Sequence, residues 1–159
     1  MQIRQALPQD AQAACQVLRR SITELCVADH HNDPAILNQW LANKTPAIIE
    51  SWIRNPANTM LVAVEGDTVL AVGLVRGLGE IEVNYVSPDA RFRGVSRALM
   101  QAMETTAKAQ GATVCTLIST ETARRFYHAI GYVETSAPVR KFGTTGSYPM
   151  SKPLATGSV

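Results

Sequence analysis

Apolar residues recur along the chain with two different periods, and the change between them divides it. Up to Arg54 they return at helical spacing. Ala11, Ala14, Val17, Leu18 and Ile22 make one stripe, Ile36, Leu37, Trp40 and Leu41 a second, and Ile48, Ile49, Trp52 and Ile53 a third. Residues 2–6 read as a short strand before the first stripe, and Pro8-Gln9-Asp10 opens the first helix. Asp29-His30-His31-Asn32-Asp33-Pro34 is a polar break, and Thr45-Pro46 supplies a cap and a first-turn proline.

Beyond Asn58 the pattern shortens to that of strands. Thr59–Glu65, Thr68–Arg76 and Glu80–Val86 are β-rich runs separated by Gly66-Asp67 and Gly77-Leu78-Gly79, so three antiparallel strands are expected. Ser96–Gln110 returns to helix, with Leu99, Ala102, Met103 and Ala107 on one face and Gly111 as its stop. Val114–Ile118 reads as a strand and Thr120–Ile130 as a short helix ended by Gly131. Tyr132–Arg140 and Tyr148–Leu154 read as a closing strand pair. The expectation is one mixed α/β domain over residues 1–154, with 155–159 a disordered tail.

Composition changes this picture little. A chain of 159 residues, 46% apolar and 18% charged, can bury one core without disulfide or metal staples, and no apolar run is long enough for a membrane span. A net charge of +2 is too slight to argue for nucleic acid, and aromatic residues are not interleaved with the arginines as a single-strand platform needs. Three widely spaced cysteines with no CxxC pair, and an N-terminus without signal-peptide character, point to reduced thiols and a cytoplasmic location.

The chemically informative segment is Tyr85-Val86-Ser87-Pro88-Asp89-Ala90-Arg91-Phe92-Arg93-Gly94-Val95-Ser96-Arg97, which joins a strand to an amphipathic helix. Unpaired amides at a helix start attract phosphate, Gly94 permits close approach, and Arg91, Arg93 and Arg97 add charged donors. A solvated turn would use the same residues. Neither the P-loop pattern nor a dinucleotide fingerprint after the first strand is present.

Arg91-x-x-Gly94-x-Ser96 resembles the Q/R-x-x-G-x-G/A signature of the GNAT superfamily of N-acetyltransferases, with serine for the usual glycine or alanine. Thr120-x-x-Ala123-x-x-Phe126-Tyr127-x-x-x-Gly131-Tyr132 resembles that family's second motif, with threonine for asparagine. The resemblance implies a central, mixed, mostly antiparallel twisted sheet of six to seven strands flanked by about four to five helices. It also implies acetyl-coenzyme A as co-substrate, its pantetheine arm paired with the backbone of Asn84, Tyr85 and Val86. The amides of Phe92, Arg93, Gly94, Val95, Ser96 and Arg97 would hold its pyrophosphate, with Arg91, Thr120, Ala123 and Phe126 adjoining. The activity implied is transfer of acetyl to a primary amine by direct attack in a ternary complex. An inactive coenzyme A-binding sensor or partner-binding module is the alternative.

Such a transfer needs an oxyanion donor, mapped by the resemblance to the backbone near Val86, and an acid for the departing thiolate, mapped to Tyr127. Glu82 shares a strand face with Asn84 and Val86, opposite Ile81, Val83 and Tyr85, and is the candidate base; a solvated carboxylate is its other reading. Asp29, His30, His31 and Trp40 fall where the family's acceptor site lies and are expected to line it, with no metal. The acceptor, a small-molecule or peptide amine, is left open, as is oligomeric state, although homodimers are common in folds resembling this one. No membrane or nucleic-acid partner is expected.

Overall fold

The computed structural model describes residues 1–140 and 143–156. The chain forms β1 (Gln2–Gln5), α1 (Ala11–Leu25), α2 (Val27–His30), α3 (Pro34–Leu41), α4 (Pro46–Arg54), β2 (Asn58–Glu65), β3 (Thr68–Arg76) and β4 (Glu80–Val86). It continues through α5 (Val95–Ala109), β5 (Val114–Thr120), α6 (Arg124–Ala129), β6 (Val133–Glu134) and β7 (Ser147–Pro153). Seven strands make one sheet in the order β1-β2-β3-β4-β5-β7-β6, antiparallel except between β4 and β5. The expected mixed α/β class and strand number hold, with six α-helices among the described residues rather than four to five. Ala155 and Thr156 are exposed and outside any element, and residues 157–159 of the expected tail lie outside the described residues.

Helices cover both faces of the sheet, and this is why β2 and β3 are almost uniformly buried rather than alternating. On one face α5 packs Leu99, Met103 and Ala107 against Leu61, Ala71, Val75, Cys115 and Leu117. On the other, Ala14 and Leu18 of α1 and Ile49 of α4 meet Val62, Val72, Leu74 and Val83. Gly73 allows α5 to sit this close, since a Cβ there would stand 2.6 Å from the Met103 sulfur.

Two irregularities interrupt the ladder. Pairing runs Ala63↔Ala71 then Val64↔Val69, which leaves Leu70 as an extra residue in β3. It runs Leu74↔Val83 then Val75↔Ile81, which leaves Glu82 extra in β4. The second bulge corrects the sequence expectation for this strand: Ile81 packs with the α5 core, while Val83 packs on the α1 side.

Beyond that bulge β4 and β5 separate. They pair in parallel at Glu80↔Thr116, with Thr116 N donating to Gly79 O at 2.9 Å, and among the described residues no further rung joins them toward Val86 and Thr120. The closing pair is shorter than expected. β6 ends at Glu134, and past it there is an isolated bridge, Val139↔Ser147.

Candidate active site

The parted strands open two cavities that meet in the gap between them. The smaller, about 430 Å³, lies between the parted strands, the 91–97 turn and α6. The larger, about 810 Å³, lies toward α3, α4 and the β2–β3 edge. Ile81, Glu82, Val83, Tyr85, Leu117, Ile118 and Thr120 line both, so each is reached from the other through the sheet.

The turn before α5 has the geometry of an anion cradle. Phe92 and Gly94 are both left-handed, at φ 61° and 75°, and for Phe92 that backbone costs of the order of 1–2 kcal/mol. Such alternation curls successive amides inward. The first bond inside α5 is Ala98 N to Gly94 O at 3.1 Å, so the amides of Val95, Ser96 and Arg97 have no carbonyl partner within the helix. Phe92 itself points to solvent, 91% exposed, under the Arg91 guanidinium. Arg93 pairs with Glu65 at 2.8 Å, and among the described residues Arg91 and Arg97 enter no ion pair. Arg91, Phe92, Gly94, Val95, Ser96 and Arg97 all line the smaller cavity, together with Asn84, Tyr85, Val86, Thr120, Ala123 and Phe126. Arg93 is turned away to Glu65.

Tyr127 stands at the inner end of this cavity, buried, with its ring edge-on to Phe126 and Tyr132. Asn84 Nδ2 donates to its phenol oxygen at 3.0 Å, which leaves the phenol hydrogen free to be donated. The Asn84 Oδ1 atom is buried without a partner among the described residues. Burial pushes the Tyr127 phenol up to about 12, against a lowering by the Asn84 bond. This pairing of residues 43 apart was not foreseen, because nothing in the local pattern of either strand or helix signals it.

Glu82 projects from the bulge, exposed to the gap, in no ion pair among the described residues. Thr120 ends β5 and accepts from Ala123 N at 3.1 Å, so the threonine acts as a cap for the turn into α6. Cys26, also in the cavity wall, has its thiol pushed up to about 12 by burial, reinforced by the charge of Asp29.

The four residues expected to line the acceptor side part company. Trp40 is buried in the wall of the larger cavity. Asp29 reaches the same wall, but its carboxylate is engaged: it accepts from Glu121 N at 2.7 Å, Thr122 N at 3.1 Å and the Thr122 hydroxyl. His30 is fully buried and lines neither cavity. Its Nε2 donates to Ile22 O at 3.0 Å while Nδ1 accepts from Asn32 N, which assigns the tautomer. His31 is exposed and bonds Thr145 at 2.8 Å, tying α2 to the loop before β7. Residues the sequence did not single out for this cavity are Lys44, Asn58, Arg76 and Glu80.

An acetyltransferase (GNAT) domain model matches residues 20–154. Among solved structures, a GCN5-related N-acetyltransferase from Rhodopseudomonas palustris superposes with a TM-score of 0.84 at 26% identity, over 96% of this chain and 95% of that one. The PaiA N-acetyltransferase of Thermoplasma acidophilum, solved with coenzyme A, gives 0.81 at 16% identity, over 96% and 98%. An aminoglycoside 6'-N-acetyltransferase complexed with coenzyme A gives 0.71 at 14%, over the whole of both chains. No curated protein matches this chain.

Proposed function

Because the chain belongs to the GNAT acetyltransferase family, we propose that it transfers an acetyl group from acetyl-coenzyme A to a primary amine by direct attack within a ternary complex. The observation that supports this reading is the through-sheet gap: two cavities meet at Glu82, which enters no ion pair among the described residues, and the smaller runs from there past the buried Tyr127 phenol to the anion cradle.

The diphosphate of the co-substrate would be held by the amides from Phe92 to Arg97, with Arg91 and Arg97 adding charge. Its pantetheine arm would extend along β4, whose backbone from Asn84 to Val86 lacks a neighbour on the β5 side. Glu82 takes a proton from the incoming ammonium, directly or through water, because only the neutral amine attacks. The amine nitrogen then forms its bond to the thioester carbonyl carbon, and a backbone amide near Val86 stabilises the oxyanion. As the carbon–sulfur bond breaks, Tyr127 gives its proton to the departing sulfur, and the attacking nitrogen loses its second proton through water to the phenolate, which restores the phenol. A phenol held near 12 stays protonated throughout the neutral range, and Asn84 keeps its hydrogen pointed away from the amide.

Among the described residues no helix is long and apolar enough to cross a membrane. A cytoplasmic location and a homodimer are part of the same proposal. The test is release of free thiol from acetyl-coenzyme A against a panel of amines, with calorimetric binding of coenzyme A alongside. Binding without turnover on any amine would transfer the reading to a coenzyme A-binding sensor, and no binding would dismiss both.

A further inference from the structure

The larger cavity is lined by two cations, Lys44 and Arg76. Lys44 lies between α3 and α4, half-buried, and its Nζ donates to Trp40 O at 3.3 Å and to Asn43 Oδ1. It also stands 5.9 Å from the centre of the Trp52 ring. All three neighbours are uncharged, and burial lowers the ammonium's pKa. Arg76 closes β3, directly across from Asn58 on one side and Glu80 on the other. Neither cation enters an ion pair among the described residues. Trp52 O accepts from Asn58 Nδ2 at 3.1 Å, so Lys44, Trp52, Asn58 and Arg76 make one stretch of wall.

The acids of this cavity are fewer than they look. Asp29 is saturated by Glu121 and Thr122, which leaves the carboxylates of Glu80 and Glu82 on β4. Glu82 lies at the gap where transfer occurs, while Glu80 stands in register with Arg76 across the β3–β4 pair, so the α4 and β3 wall carries Lys44, Arg76 and one carboxylate and keeps a net positive charge. A partly desolvated ammonium with only neutral partners is unfavourable, and an anionic ligand offsets that cost. A polycationic acceptor would instead meet repulsion from both cations.

Resting on the acetyl-transfer reading, we propose that the acceptor is a zwitterion, an amine bearing a carboxylate on the same molecule. Its amine end lies at Glu82 and its carboxylate against Lys44 and Arg76. A space of about 810 Å³ admits a free amino acid or a short peptide, which share this chemistry.

The test compares matched pairs: α-amino acids, ω-amino acids of increasing length and dipeptides, each against its carboxamide, with spermidine and an aminoglycoside as polycations. Both thiol release and calorimetric binding to the coenzyme A-saturated protein are read. The carboxylate member should exceed its amide by about tenfold or more in kcat/KM or affinity, the scale of one charge-assisted contact. The length giving the largest ratio separates the amino acid from the peptide. In Lys44→Gln and in Arg76→Gln that ratio should fall toward one, and Lys44→Arg should restore most of it. Carboxylate preference in binding with no turnover would sustain the acceptor class while removing the enzyme reading. Amides bound as well as carboxylates, or a preference for the polycations, would overturn it.

Discussion

Replacing Tyr127 by phenylalanine removes one oxygen from a buried ring and leaves the packing against Phe126 and Tyr132 in place. The structural cost is confined to Asn84, whose Nδ2 loses its acceptor while Oδ1 already lacks a donor. One orphaned amide costs about 1–3 kcal/mol, within the roughly 5–15 kcal/mol that holds a domain of this size folded. The variant therefore remains native at 25 °C. Its kcat should fall at least about a hundredfold, equal to about 2.7 kcal/mol of barrier, while coenzyme A binds with unchanged affinity. Stopped thiol-release assays at saturating acetyl-coenzyme A, paired with calorimetry, separate the two. Asn84→Ala should slow wild-type turnover but add nothing to Tyr127→Phe, since it acts through the phenol. Undiminished kcat in Tyr127→Phe would refute the assignment, and full additivity of the two changes would refute the coupling.

Glu82→Gln keeps the bulge and the hydrogen-bonding shape, so turnover should drop at neutral pH and recover as pH approaches the acceptor's own pKa; full activity at every pH would dismiss Glu82 as the base. Gly94→Ala places a side chain at φ 75°, so roughly 1–2 kcal/mol should appear as lost stability, weaker coenzyme A binding, or a sum of both. Urea titration plus calorimetry that detect neither would contradict the left-handed turn. Asp29→Ala strands the amides of Glu121 and Thr122 and the Thr122 hydroxyl, and should lower stability by about 3 kcal/mol or more, with a large fall in thermal midpoint. Mild loss there would mean the carboxylate is not structural. Finally, burial raises the phenols of Tyr85, Tyr127 and Tyr132 and the thiol of Cys26. Each proton leaves the unfolded chain more readily, so stability should be level below about pH 8.5 and then fall. The loss is about 1.4 kcal/mol per pH unit for each group past its unfolded value, continuing through about 12 for Tyr127 and Cys26. Urea midpoints measured from pH 7 to 11 check the slope; a flat profile would contradict the burial of these groups.

The helical stripes and the three central strands were legible because burial on two sides leaves a repeat that local sequence must obey. Ile49 and Leu18 fall where the helical period puts them, and both are fully buried. The bulge at Glu82 was not legible. The run Ile81-Glu82-Val83-Asn84-Tyr85 alternates as a regular strand would, and the slip is decided by its partner β3 and by which core has room for Ile81. Asp29 and His30 were expected in the cleft because the resemblance places the polar break between these helices at the acceptor site. Here backbone amides of a distant turn, and the carbonyl of Ile22, satisfy them, and those partners lie outside any local pattern. The last strand pair was overestimated in length. Pro138 has no amide to donate, and past Glu134 the pairing thins, among the described residues, to the Thr135 N bond to Pro149 O and the bridge Val139↔Ser147.

Two departures from regular sheet structure explain why the proposed chemistry would sit where it does. If β4 paired with β5 along its whole length, ladder bonds would consume the backbone from Asn84 to Val86, and side chains from the two faces would never meet. The parallel pair ends after one rung, and the left-handed turn at Gly94 aims the next helix's amides into the opening. The bulge then places Glu82 in the gap, with Asn84 two residues on held to Tyr127. In the proposed transfer, proton acceptor and proton donor thus come from one strand and the helix behind it. The two small backbone irregularities are therefore the price of an opening through an otherwise closed core, and the helices packed on both faces supply the stability that tolerates them.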